Sequence, residues 1–160
     1  MRATWTARTV GLALAGLCAL AVHAAAQAPD PLVGTWKLDL AKSSYKPGPP
    51  PKSVTVVIDA AGKGLKVAVD AVGADGAATK WGYTTQRDGK DVPVTGNPSY
   101  DTANVTQTSP NDGTIAYKKD GKLVVTAKTS VSKDGKTMTV TYTGTDAKGQ
   151  AINNVSVFHK

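Results

Sequence analysis

Apolar and polar residues alternate by two along most of this chain, and the alternating stretches end at glycine-bearing turns. Trp36, Leu38 and Leu40 share one parity, as do Val54, Val56 and Ile58, and then Leu65, Val67, Val69 and Ala71. Trp81 with Tyr83, Ile115 with Tyr117, Leu123 with Val125 and Ala127, and Met138 with Val140 and Tyr142 continue the series. Alternation by two puts one set of side chains on one face of an extended strand. Between the runs stand Ala61-Gly62-Lys63-Gly64, Ala74-Asp75-Gly76, Asp88-Gly89, Asn111-Asp112-Gly113, Asp120-Gly121, Asp134-Gly135 and Lys148-Gly149. Asp-Gly between alternating strands signals a hairpin, because the tight turn needs positive φ and glycine supplies it cheaply. No segment keeps apolar residues at i, i+3, i+4 and i+7 for two turns; one helical turn over residues 39–43 is the most that the pattern allows. The pattern therefore predicts an all-β domain of about eight to ten strands, nine or ten by direct count. Joined mainly by hairpins, they form an antiparallel up-and-down meander that closes as a barrel to remove its edges.

The N-terminus has a different character. Arg2 and Arg8 precede an apolar run from Val10 to Val22, and Ala24-Ala25-Ala26 offers small residues for cleavage. This is the layout of a secretory signal peptide, and the run is too short for a membrane span. The expected organisation is a signal peptide over 1–26, an extended leader over 27–33 and one barrel domain over 34–160. An exported protein, periplasmic or extracellular and free of integral membrane association after cleavage, is the expectation. Cys18 is preceded by Leu17, whereas a lipobox wants a small residue there, so lipid attachment is not expected.

Cleavage after Ala26 removes the only cysteine and His23. The remaining 134 residues hold no Cys, no Glu, one histidine (His159) and one arginine (Arg87). Valine and threonine, 16 and 17 of those residues, favour pleated surfaces. Seventeen basic residues stand against twelve acidic ones, but the lysines are scattered and often sit beside Asp. Nucleic-acid binding wants clustered charge interleaved with exposed aromatics, and is not expected. Catalysis is poorly provided for. Almost every Asp sits beside Gly or at a strand end, His159 lies one residue from the end of the chain, and no Gly-x-Ser-x-Gly elbow occurs. No enzyme activity, metal site or cofactor is expected.

Two features point inward. Trp36, Trp81, Tyr83, Tyr117 and Tyr142 fall on the predicted inner face among small residues, with a single Phe and a single Met after residue 26. A barrel of this size either fills with side chains or holds one small ligand, and such a lining favours a cavity. Asp91–Asp101 carries Pro93, Gly96 and Pro98, so it is an edge, a bulge or a flap, with Tyr100 placed to border the cavity. Arg87, the only guanidinium, is the first anionic anchor to consider, although its place beside Asp88-Gly89 predicts an exposed turn. On the last strand, Ile152 and Phe158 differ in parity from Val155 and Val157. A bulge at Asn153-Asn154 would bring Ile152, Val155 and Val157 to one side.

Gly34-Thr35-Trp36-Lys37-Leu38 resembles the Gly-x-Trp opening of lipocalins and related calycin barrels. With the stretches 88–98 and 132–141 and Asn153-Asn154-Val155, the chain from Gly34 to Lys160 resembles a group of uncharacterised secreted bacterial proteins with a lipocalin-like domain. That resemblance implies a barrel able to carry a small apolar molecule. Lipocalins usually cap the opening Trp with an Arg near the last strand; here Lys160 or Lys128 would have to substitute. The Arg-x-Tyr pair by which fatty-acid-binding relatives anchor a carboxylate is absent from the final strand, which reads Val155-Ser156-Val157-Phe158. The expected function is non-catalytic binding of a small hydrophobic or amphipathic ligand. The alternative is a packed domain without a pocket that acts through its surface on an envelope protein or polysaccharide.

Overall fold

The computed structural model describes residues 29–146 and 149–160. The signal peptide expected over 1–26 lies outside the described residues, as does the start of the leader. Ten strands follow in chain order: β1 (Gly34–Ser44), β2 (Ser53–Ala61), β3 (Gly64–Val72), β4 (Ala78–Thr85), β5 (Asp88–Pro93), β6 (Thr102–Gln107), β7 (Asp112–Lys119), β8 (Lys122–Val131), β9 (Thr137–Thr145) and β10 (Ala151–His159). They form one sheet in the order β4-β3-β2-β1-β10-β9-β8-β7-β6-β5, every neighbour antiparallel. The all-β up-and-down meander is thus as expected, and it curls into a nearly closed barrel.

Closure is incomplete between β4 and β5, the two ends of the sheet. Gly82 and Thr95 make the one bridge there, exchanging both backbone hydrogen bonds at 3.0 Å. The next residue, Gly96, has φ +83°, and a Cβ on it would run into the Lys80 carbonyl oxygen. Only glycine lets the chain after β5 approach β4 this closely. Inside the barrel the same seam is spanned by rings. Trp81 on β4 meets Tyr117 on β7 edge-on at 6.0 Å, Tyr83 meets Tyr117 at 6.4 Å, and Tyr100 stacks on Tyr117 at 4.5 Å.

Turn chemistry sets the register. In the β7–β8 hairpin, Asp120 and Gly121 both have positive φ (49° and 74°), as a two-residue turn between right-twisted strands requires. Three local expectations are corrected. Residues 39–43 belong to β1, not to a helical turn; the strand bulges between Asp39 and Ser44, with Ser43 Oγ donating to the Asp39 carbonyl at 2.6 Å. That bulge turns Leu40 out of the inner set, and it is 42% exposed. Leu123 leaves the inner face too. Tyr117 pairs with Val125 and Lys118 with Leu123, so Val124 is the extra residue and lines the interior, while Leu123 is 61% exposed. Finally, β10 has no bulge at Asn153-Asn154. Its ladder to β9 runs unbroken from Ala151↔Thr145 to His159↔Thr137, so Ile152, Asn154, Ser156 and Phe158 face inward and Val155 and Val157 outward.

Candidate functional site: a cavity along the barrel axis

The meander topology places the tips 61–64, 85–88, 107–112 and 131–137 at one end of the barrel, with the leader and the C-terminus. Loops 45–52, 72–78, 94–101, 119–122 and 145–151 lie at the other. The interior between them is a cavity of about 880 Å³. Val54, Val56 and Ile58 of β2 and Leu65, Val67, Val69 and Ala71 of β3 make one wall. Val140, Met138, Phe158 and Ile152 continue it, and Trp81 and Tyr83 on β4, cross-strand neighbours of Val69 and Val67, join Tyr100 and Tyr117 in an aromatic cluster. β-Branched side chains cover a strand face with little reach into the lumen, so this lining leaves room that Leu or Phe would fill.

Of the seven residues expected at a site, the structure brings six to this cavity: Trp81, Tyr83, Tyr100, Tyr117, Tyr142 and Arg87. Trp36 stands apart. Wholly buried, it donates from Nε1 to the Leu32 carbonyl at 2.8 Å and carries Lys160 Nζ over its ring at 4.7 Å. Lys160 thus places a cation over the ring, and its Nζ also donates to the Pro31 carbonyl at 2.9 Å. These contacts tie the leader across the barrel end, where Leu32 borders the cavity as part of its floor.

Arg87 is not the exposed turn residue its neighbours suggest. Its backbone is left-handed (φ 58°), and its side chain is only 14% exposed. Nη1 lies 2.7 Å from Asp30 Oδ2, but the N–H bonds are not aligned for hydrogen bonding and Nε has no acceptor. The guanidinium thus closes the floor as a partner of the leader. Tyr100 reaches the cavity from the 94–101 loop, which is shaped by Asn97 Oδ1 accepting from Ser99 N at 2.8 Å and Tyr100 N at 3.3 Å.

Burial sets the chemistry of the tyrosines. It raises the Tyr83 hydroxyl to about 12, and pushes Tyr117, Tyr142 and Tyr100 above the ordinary range. They are neutral hydrogen-bonding groups, not bases. His159 lies on the outer face instead, with Nε2 3.1 Å from Asp39 Oδ2 and from Lys42 Nζ, and Nδ1 3.3 Å from Thr137 Oγ1. Among the described residues no three His, Cys, Asp or Glu side chains are placed to share a metal ion.

Among the cavity residues that escaped sequence reasoning are Tyr45, Asn154 and Ser156. Tyr45 OH lies 2.8 Å from Ser156 Oγ, and Asn154 Oδ1 accepts from Lys46 N at 2.9 Å. Strict alternation back from Phe158 would have found the two on β10; the assumed bulge hid them. Tyr45 follows the β1 bulge, where parity gives no guidance.

Compared with known proteins, the chain matches no family model and no curated protein. What stands is the architecture itself, a nearly closed ten-stranded antiparallel barrel compatible with a calycin-like fold.

Proposed function

We propose that this protein is an exported, non-catalytic carrier of the lipocalin-like kind, holding a small hydrophobic or amphipathic molecule inside the barrel. The observation that carries the reading is the axial cavity of about 880 Å³, lined by valines and by a cluster of aromatic rings. Ligand sites are typically clefts of ~300–1,000 Å³ with apolar walls and a few polar groups, and this interior has both the size and the composition. Lys160 over Trp36, under a floor formed by the leader, supports the kinship with lipocalins that the opening Gly34-Thr35-Trp36 suggests. The competing reading, a surface-acting module, calls for a filled interior, and the cavity weighs against it.

Native mass spectrometry of the protein purified from an exporting bacterial host tests the proposal. The expected result is a reproducible added mass that leaves on denaturation. An apo mass, joined to unchanged tryptophan fluorescence and unchanged mass after incubation with lipid and haem extracts, would overturn it.

A further inference from the structure

Most of the cavity wall is apolar or aromatic; Thr85, Thr106, Gln107 and Thr129 add polar groups toward the floor, and a denser polar cluster stands on the wall nearer the mouth. The unbroken β9–β10 register sets Asn154 directly opposite Tyr142 and Ser156 opposite Val140, all on the inner face. Tyr45 reaches the same wall from beyond β1 and meets Ser156 Oγ at 2.8 Å. A backbone N–H can only donate, so the bond from Lys46 N fixes the Asn154 amide with Oδ1 toward the loop. Among the described residues, its NH2 group and the Tyr142 hydroxyl make no side-chain hydrogen bond. Four neutral polar side chains thus gather on a largely apolar surface, two of them with unused hydrogen-bonding capacity.

No charged side chain belongs to this group. The charged residues bordering the cavity sit at its ends, Arg87 and Asp112 at the floor, Lys119 and Asp146 at the mouth. A carboxylate brought to the polar wall would lose its hydration without gaining a cation, which is costly. A hydroxyl or carbonyl would gain two or three hydrogen bonds there and lose little. Resting on the carrier reading, we infer that the cavity selects amphiphiles with a neutral hydroxyl or carbonyl head, bound at Tyr45, Tyr142, Asn154 and Ser156, over carboxylates of the same chain length.

The test titrates the protein, purified from an exporting host, with 1-decanol, decanoate and decane at pH 8, read by tryptophan fluorescence and native mass spectrometry. The inference expects decanol to bind about tenfold tighter than either of the others, the factor one or two net hydrogen bonds supply. In the Tyr45→Phe/Tyr142→Phe double variant, decanol affinity falls to the level of decane while decane binding is unchanged, which also shows that the cavity is intact. Decane binding as tightly as decanol would overturn the head-group assignment and leave the carrier reading standing. Decanoate binding tightest would overturn it too, and loss of that preference in Arg87→Gln would move the head group to the floor. Binding of none of the three would sink both readings.

Discussion

Replacing Asp30 by Asn isolates the charge that holds the barrel floor. Asp30 Oδ1 accepts from Leu32 N at 3.0 Å, and its carbonyl accepts from Val33 N at 3.1 Å; an amide in the same rotamer retains both bonds. What is lost is the negative charge 2.7 Å from Arg87 Nη1, and an NH2 donor takes the place of Oδ2 against the guanidinium. Removing one partner of a fully buried ion pair costs ~3–5 kcal/mol, whereas an exposed pair contributes ~0–1 kcal/mol. With the Arg87 side chain 14% and the Asp30 side chain 23% exposed, this pair lies between the limits. Asp30→Asn is therefore expected to destabilise the protein by about 2 kcal/mol, scaled down from the buried limit for solvent screening.

Urea denaturation at pH 7 measures this directly. A domain of this size has an m-value of ~2 kcal/mol/M, so the midpoint should fall by about 1 M with m unchanged. Adding Arg87→Met should recover most of the loss, because removing both charges leaves none stranded. A midpoint within about 0.2 M of the parent, or two single effects that simply add in the double variant, would refute the idea that the floor rests on this pair.

Other consequences are open to measurement. All five tyrosines of the chain are shifted upward by burial, so alkaline pH should leave the folded protein untitrated near pH 10, with the 295 nm absorbance rising only as the chain unfolds. The sign follows from linkage: the unfolded chain loses phenolic protons first, so stability is full below pH 10 and falls above it. Tyr83 alone should remove about 2–3 kcal/mol by the time pH passes its folded value of about 12. Gly96→Ala, strained at φ +83° and blocked by the Lys80 carbonyl, should cost about 2–4 kcal/mol in a thermal or urea melt and speed amide exchange at Gly82. Trp36→Phe removes the donor to the Leu32 carbonyl and the ring under Lys160, and a loss of about 2–3 kcal/mol is expected by denaturation.

Period-two alternation and Asp-Gly turns made the strands legible, because both are local properties and this barrel asks little else of its sequence. The positions that misled are those where one strand carries an extra residue. Val124, Leu123 and Leu40 read wrongly because a bulge shifts phase in one strand relative to its partner, and nothing local to the residues marks it. Arg87 misled for a related reason. Its neighbours announce a turn, but a left-handed φ folds the side chain back over the barrel end, toward a leader whose placement depends on Trp36 and Lys160. Contacts that join residue 30 to 87, or 36 to 160, are products of closure and have no local signature.

The bulge expected on β10 is the most instructive, since where it falls decides which side chains line the cavity. Placed at Asn153-Asn154, it would have turned Val155 and Val157 inward and left a wholly apolar wall. The irregularity lies instead in β1, between Asp39 and Ser44, where the partner of β10 absorbs the extra residues near the open end. There the chain crosses at the rim, and Ser43 Oγ satisfies both the Val157 amide and the Asp39 carbonyl. The same bulge carries Tyr45 to Ser156. Two valines consequently lie on the outer face, where both stay half-buried, while an Asn and a Ser face the lumen. The opposite register would bury these valines but turn Ile152 and Phe158 outward, and Phe158 is only 2% exposed. The ladder that buries Phe158 is therefore also the one that sets Asn154 and Ser156 in the lumen, so the polar wall comes with the stable register and not against it.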